Sequence, residues 1–254
     1  MPFESNAPMV SVIMPAYNAD SFIAAAIRSA LEQTVTDLEL IVIDDGSQDE
    51  TLRIVQEAAK ADPRVRCCPN DRNMGTARTR NRGLELSRGK YVAFLDSDDI
   101  WRPHKLEAQI RQLEESGADL VYSSYAIMDK EGKPFRDFLV PETIDLDGLL
   151  KENVIGCSTV MMRRELAEQF RFQADYYHED YVLWLQILQA GRKMAGIRDI
   201  LVDYRFYFGS RAGNKLTSAQ RRWTVYRKYL KLPVGKSLWY LSHYALAGVK
   251  KYKK

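Results

Sequence analysis

Two hydrophobic rhythms alternate along the first half of the chain. Residues 10–14 are an apolar run broken only by Ser11, which reads as a buried strand; over 21–33, Phe22, Ile23, Ala26, Ile27, Ala30 and Leu31 fall on one helical face. The pair recurs as a strand at 38–43, a turn of Asp44, Asp45, Gly46 and Ser47, and a helix over 50–60 carrying Leu52, Val55 and Ala59 on one side. A weak strand at 65–67, a helix over 76–87 and a strand at 91–95 follow. Strands alternating with helices of about 10 to 15 residues predict a mainly parallel sheet covered on both faces.

Beyond residue 100 the helical spacing of Leu106, Ile110 and Leu113 predicts a helix over 103–116, and 119–125 reads as another strand. The pattern then becomes mixed. A hairpin turn is expected at 130–134, a short helix at 146–152, a strand at 158–162, a helix over 180–190 stopped by Gly191, a strand at 200–206 and a polar loop at 209–215. No repeat, low-complexity stretch or linker interrupts the order, so one continuous α/β unit is predicted.

Composition narrows the class. With 254 residues, 46% hydrophobic and 28% charged, the chain can bury a substantial core and is not disordered. No apolar run reaches the roughly 18 residues of a membrane span, and the first residues lack a basic region followed by an apolar one. Cys67 and Cys68 are adjacent and Cys157 is distant, which fits neither a disulfide framework nor zinc spacing and suits a reducing cytoplasm. Charge is uneven: residues 1–203 carry 24 basic against 34 acidic side chains, whereas the 13 Lys and Arg beyond them meet no acid. A basic end of this kind points to an anionic partner.

The candidate chemistry gathers where strands end. Asp96, Ser97, Asp98 and Asp99 follow the strand at 91–95, and crowded carboxylates stay ionised when a divalent cation with oxygen ligands neutralises them. Mn²⁺ or Mg²⁺ at the C-terminal edge of a parallel sheet is therefore expected, against the alternative of a solvated acidic turn. Pro15, Ala16, Tyr17 and Asn18 end the first strand and Asp45 the second. An aromatic ring, a hydrogen-bond-accepting carboxylate and a cation site are together what a uridine diphosphate requires. Neither a dinucleotide glycine fingerprint nor a P-loop is present.

Taken together, residues 10–18, the run from Leu40 to Ser47, Asn73 to Gly75 with Arg80 to Gly83, Phe94 to Asp99, and His178, Glu179 and Asp180 resemble, in order and spacing, the inverting glycosyltransferases of family 2, which have the GT-A fold. The resemblance spans about residues 8–205. It implies a nucleotide-sugar-binding half at 8–125 and an acceptor and catalytic-base half at 126–205; beyond it, charge and spacing predict a basic helical tail at 216–254. The resemblance also implies that Tyr17 stacks on the nucleotide base within a donor site formed by Pro15, Ala16, Tyr17, Asn18, Asp45, Arg80, Asp96, Ser97 and Asp98. In that site Asp45 bonds the base edge, Asp96 contacts ribose or sugar, and Asp98 ligates the metal. Of three arginines on one helix, Arg80 is assigned to the donor and Arg78 and Arg82 to solvent. Asp180 would be the base, with the alternative that it only caps the helix after it; His178 and Glu179 would lie on the acceptor side.

The implied activity is metal-dependent, inverting transfer of one sugar from a nucleotide donor, UDP-linked, to a hydroxyl of a lipid-linked glycan at the cytoplasmic membrane face, in bacterial surface-polysaccharide synthesis. Gln220, Arg221, Arg222 and Trp223 are one residue short of the Gln-x-x-Arg-Trp pattern of processive members, which favours single addition. A loop at 208–213, with Arg211, is expected near the diphosphate. A sugar-1-phosphate nucleotidyltransferase would want a glycine-rich basic loop after the first strand, and a non-catalytic membrane or nucleic-acid module would leave the acidic edge unexplained; no nucleic-acid partner is expected. In the tail, Leu238, Leu241, Ala245, Val249 and Tyr252 form one stripe, with Trp239 and Tyr240 near its edge and Lys250, Lys251, Lys253 and Lys254 at its end. That suits a helix lying on an anionic membrane, or equally one packed on the domain.

Overall fold

A computed structural model describes residues 7–206 and 215–252. The first half is a run of β–α units: β1 (Val10–Ala16), α1 (Ile23–Leu31), β2 (Leu38–Asp44), α2 (Thr51–Ala61), β3 (Val65–Cys67), α3 (Thr76–Leu86) and β4 (Tyr91–Phe94). These four strands lie parallel in the order β3, β2, β1, β4. Each begins and ends within about two residues of its expected place, because a strand buried on both faces is marked by its apolar run.

The second half is mixed, as the change of pattern predicts. It comprises β5 (Ile100–Trp101), α4 (Lys105–Ser116), β6 (Leu120–Met128), β7 (Pro134–Phe138), α5 (Leu146–Lys151), a 3-10 turn (Cys157–Thr159), β8 (Val160–Arg163), α6 (Arg164–Gln169), α7 (Glu179–Gln189) and β9 (Met194–Arg205). β8 enters antiparallel between β4 and β6, and β9 runs parallel to β6. β9 starts six residues before the expected strand, pairing Met194 with Leu120 and, after two register shifts, Arg205 with Met128. Local pattern misses this early part because its stability comes from the ladder with β6 rather than from apolar alternation.

Side chains alternate between two cores. Ile13, Ile41 and Phe94 face α3, α5, α6 and α7, while Val12, Met14 and Val42 face α1, α2 and α4. α3 sits unusually close to the sheet, since a Cβ on Gly83 would lie 2.4 Å from Cγ2 of Ile13. Glycine thus sets how deeply α3 docks, and with it the depth of Arg80 one turn earlier.

After β9 come α8 (Lys215–Thr224), a π-helical turn (Val225–Tyr229) and α9 (Val234–Tyr252). α9 is packed on the domain along one side. Ser237 and Tyr240 are buried, Leu241 packs on the core, and the Tyr240 hydroxyl donates to Asp147 Oδ1 at 2.7 Å on α5. Leu238, Trp239 and Leu246 remain exposed, so the expected stripe is divided between a packed side and an open one. No helix among the described residues is long and apolar enough to cross a membrane. The expected loop at 208–213 with Arg211, and Lys253 and Lys254, lie outside the described residues, as do the side chains of Val249, Lys250, Lys251 and Tyr252.

Candidate active site

Parallel pairing brings the C-terminal ends of β1, β2 and β4 to one edge. Pro15 and Ala16 are buried residues of β1 itself, not of a loop. Pro15 has no N–H, and it is tolerated because the ladder between β1 and β4 stops at Ile13 and Phe94. The chain then turns through Asn18, whose φ of 48° Asn accepts better than most residues. Asn18 is pinned to the second strand end: its N–H donates to Ser47 Oγ at 3.0 Å and its Oδ1 accepts from Gln48 N at 2.9 Å. Ala19 N–H adds a bond to Thr51 Oγ1 at 2.7 Å. The backbone is held on both sides of Tyr17, while its ring is 47% exposed at the rim.

Asp45 is buried and heavily bonded. Its Oδ1 accepts from Asn70 Nδ2 at 2.7 Å and Met74 N at 2.8 Å, and its Oδ2 from Gly75 N at 2.9 Å. It therefore fastens the 70–75 loop at the start of α3. That loop passes so near the turn that a Cβ on Gly46, whose φ is +74°, would meet Asn73 N at 2.9 Å. Beside it, Asp44 accepts from Ser47 N through Oδ2, while Oδ1 is buried with no hydrogen-bond partner among the described residues. A desolvated acceptor without a donor is costly, so Asp44 is an open valence at the strand edge that the turn-like sequence conceals.

The acidic turn is held from three directions. Asp96 N–H donates to Ser158 Oγ at 3.0 Å, and the same hydroxyl donates to Asp99 Oδ2 at 2.5 Å, so one serine from the 3-10 turn spans the motif. Arg205, at the end of β9, donates through its backbone N–H to Asp99 Oδ1 at 2.8 Å and through Nε to the Asp98 carbonyl at 2.8 Å. Its Nη1 also reaches the carbonyls of Asp129 and Lys130 in the β6–β7 turn. Asp99 is thus an inward anchor, and burial together with the Asp98 and Asp96 charges pushes its carboxyl well up. Ser97 and Asp98 are half-buried on the turn. Burial, then the neighbouring Asp96 charge, raises the Asp98 carboxyl to about 6.

That crowding is what a divalent cation relieves. Among the described residues, no three His, Cys, Asp or Glu side chains converge on one point, so a cation at Asp98 would need oxygens from a bound diphosphate to complete its shell. The residues fit a metal that arrives with substrate, not a cage that holds one alone.

Arg80 joins this edge to α7. Only 3% exposed, it donates from Nη2 to Asp96 Oδ1 at 2.5 Å and from Nη1 to Glu179 Oε1 at 3.0 Å, with its guanidinium carbon 5.4 Å from the centre of the Phe172 ring. Burial works against its charge, and the Asp96 and Glu179 carboxylates more than offset that, holding it well above the usual arginine range. Arg80 is therefore a buried connector between two carboxylates, and Glu179 faces it from inside the protein. Arg78 is exposed as expected. Arg82 is not simply solvated: it donates to the Pro69 carbonyl at 2.8 Å and to Asn70 Oδ1. Cys157 lies buried nearby, its thiol pushed well up by burial.

α7 starts one residue earlier than the sequence pattern suggests, so His178 takes the N-cap position and Asp180 falls within the first turn. This disposes of Asp180 as the cap. Its Oδ1 accepts from the adjoining Tyr181 N at 2.7 Å, and Oδ2 has no hydrogen-bond donor among the described residues. A half-buried carboxylate oriented through one oxygen and open at the other has the form of a general base. His178 packs edge-on to Tyr177, with ring centres 5.7 Å apart.

The sequence matches the family described as Glycosyl transferase family 2 over residues 11–171. It is 38% identical over 245 residues to TuaG of Bacillus subtilis (strain 168), whose name assigns it to teichuronic acid biosynthesis, covering 96% of this chain and 97% of that one. It is 37% identical to WfgD of Escherichia coli, named UDP-Glc:alpha-D-GlcNAc-diphosphoundecaprenol beta-1,3-glucosyltransferase, covering 96% of this chain and 95% of the relative. Among solved structures, Staphylococcus aureus TarS 1-349 in complex with UDP-GlcNAc superposes with a TM-score of 0.72 at 21% identity, covering 96% of this chain and 76% of that one. The mannosyltransferase PcManGT of Pyrobaculum calidifontis, in complex with GDP-Man and Mn²⁺, superposes at 0.70 and 19% identity, covering 98% and 76%.

Proposed function

The chain belongs to glycosyl transferase family 2 and has the GT-A fold, and from that premise we propose that it is an inverting enzyme of bacterial surface-polysaccharide synthesis that moves one sugar from a UDP-sugar to a hydroxyl of a lipid-linked glycan. Membership in a glycosyltransferase family sets aside the nucleotidyltransferase and the non-catalytic binding module. WfgD, covered over nearly its whole length, is named for a UDP-linked donor and a diphosphoundecaprenol acceptor, which supports both substrate classes.

The observation that carries the reading is the Arg80 bridge. One buried guanidinium ties Asp96, at the end of β4, to Glu179, the residue before Asp180, so the donor edge and the base are set by the same side chain. The nucleotide lies over the ends of β1 and β2, with Tyr17 stacked on the base and its N–H edge toward Asp45, whose Oδ2 accepts only from Gly75 N among the described residues. Asp96 meets the ribose or sugar. Mn²⁺ or Mg²⁺ held by Asp98 would neutralise the charge that develops on the departing diphosphate. Oδ2 of Asp180 takes the proton of the acceptor hydroxyl as its oxygen attacks the anomeric carbon. The bond from that carbon to the diphosphate oxygen breaks on the opposite side and UDP leaves, so the sugar's configuration inverts.

The open side of α9 presents Val234, Leu238, Trp239 and Leu246 on an element rich in lysine and free of acids, the chemistry of an anionic membrane surface. The enzyme would meet its acceptor there, peripherally at the cytoplasmic face. The decisive experiment is turnover with a panel of nucleotide sugars and a lipid-diphosphate glycan, with Mn²⁺ and with chelator, the anomeric configuration of the product being read by NMR. Retained configuration, or transfer undiminished by chelator, would overturn the corresponding part of this reading.

A further inference from the structure

Arg222 is a buried cation that no carboxylate among the described residues faces. It is 3% exposed, and its Nε and Nη1 are buried without hydrogen-bond partners. What it has instead are aromatic rings: its guanidinium carbon lies 3.5 Å from the centre of Tyr181 and 4.7 Å from that of Tyr244. The rings attract the cation and the Tyr181 hydroxyl also interacts with it, yet Nε and Nη1 remain desolvated donors without a partner.

Its position gives that open valence a context. Arg221 stacks over Tyr177 at 3.1 Å and Arg222 over Tyr181, so consecutive arginines of α8 cover the two tyrosines that bracket His178, Glu179 and Asp180. On its other side Arg222 touches Tyr244 of α9, the helix whose opposite side exposes Leu238, Trp239 and Leu246. The π-helical turn immediately after α8 is an irregularity that tends to occur where a helix serves a site. Arg222 thus sits between Tyr181, the residue after Asp180, and Tyr244 on α9, the helix that carries the exposed apolar residues. A lipid-diphosphate glycan presents a sugar hydroxyl, then a diphosphate, then a lipid.

We propose that Arg222 binds the diphosphate of the acceptor. The proposal rests on the glycosyltransferase reading for its acceptor class, and it assigns to the acceptor a phosphate contact separate from the donor edge of Tyr17, Asp45 and Asp98. Arginine suits the task because its planar fork of N–H groups matches phosphate oxygens, and charge-assisted bonds are about twice as strong as neutral ones.

The test is calorimetric binding of undecyl diphosphate, an uncharged undecyl glycoside and UDP to the full chain, without turnover, so that failure of the sugar-transfer reading would show separately in the activity assay. Arg222→Met should weaken undecyl diphosphate by about tenfold or more, the worth of a hydrogen bond to a charged group, and leave the glycoside and UDP unchanged. Arg222→Lys should recover part of the loss. The Met variant should melt no lower than wild type, because replacing an unpaired buried charge with an apolar chain of similar size removes a desolvation cost. Undiminished undecyl diphosphate binding, or a loss confined to UDP, would overturn the proposal. A lower melting temperature with all three affinities intact would make Arg222 a packing residue and overturn it equally.

Discussion

Arg80 Nη1 donates to Glu179 Oε1 at 3.0 Å across 99 residues of chain, and both side chains are about 5% exposed or less. A pair this buried is worth little as a source of stability but much as a fixed distance, since removing one partner leaves a desolvated charge behind. Arg80→Met should therefore destabilise the fold by about 3–5 kcal/mol, seen as a lower midpoint in urea. Arg80→Lys, which keeps the charge but has a single nitrogen for two carboxylates, should fold better and still lose turnover. If Arg80→Lys transfers sugar at the wild-type rate, the two-carboxylate bridge does not position the base.

Asp180→Asn keeps the acceptor oxygen that meets Tyr181 N–H and removes proton-accepting capacity. Because Asp180 is not the N-cap of α7, its thermal midpoint should match wild type and UDP affinity should be unchanged. Transfer should fall by about 10²–10⁴-fold, the usual share of general-base assistance. Single-turnover rates with a saturating acceptor are the measurement, and a normal rate would move the base elsewhere.

The crowded carboxyl of Asp98 gives a pH signature. Its folded value of about 6 lies above the ordinary 3.8, so between those values the folded state holds a proton the unfolded chain has released. Stability from this group is present below about pH 4 and is lost as pH rises through about 6. A carboxyl so raised costs up to about 3 kcal/mol once ionised, less after solvent screening of a half-buried group. In metal-free protein Asp98→Asn should equal wild type at pH 4 and exceed it in melting temperature at pH 7. Added Mn²⁺ should raise the midpoint of UDP-bound wild type at pH 7 further than UDP alone does, and add nothing to that of the UDP-bound variant. Parallel curves for the two proteins from pH 4 to 7 would contradict this.

The divided tail allows membrane contact to be tested while the buried contacts of Ser237 and Tyr240 are kept. Leu238→Glu with Trp239→Glu changes only exposed positions, whereas Tyr240 keeps its bond to Asp147. Vesicle flotation with anionic lipid should show loss of binding in the double variant at an unchanged melting temperature. Raised salt should weaken the wild type partway, as screening removes the basic contribution but not the apolar one. Equal flotation of both proteins would leave α9 as a packed helix only.

Sequence pattern was a good guide wherever one element carries its own signal. β1, β2 and β4 are apolar throughout, and α1, α2 and α4 show one-sided spacing, so their ends were legible within about two residues. β5 and α6 were not, being two and six residues long and stabilised by contacts that have no local period. The site divides in the same way. Strand-end motifs placed Tyr17, Asp45, Asp96 and Asp98 on one edge, but nothing local marks Ser158 as the hydroxyl spanning Asp96 and Asp99, or Arg205 as the clamp on that turn. The inward ion pair of Arg80 was equally hidden: helical spacing separates residue 80 from 78 and 82, and only the packed structure says that its partner is Glu179.

Gly83 has a consequence for how tolerance to mutation should be distributed. It makes no contact with any proposed substrate, yet the missing methyl lets α3 sink against Ile13 and carries Arg80 to its two carboxylates. An alanine there would act as a shim under the helix. The guanidinium would be lifted from Asp96 and Glu179 together, so the donor edge and the base would slacken at once. Selection on this enzyme should consequently guard a featureless position in the hydrophobic interior as strictly as the acidic residues whose spacing it sets.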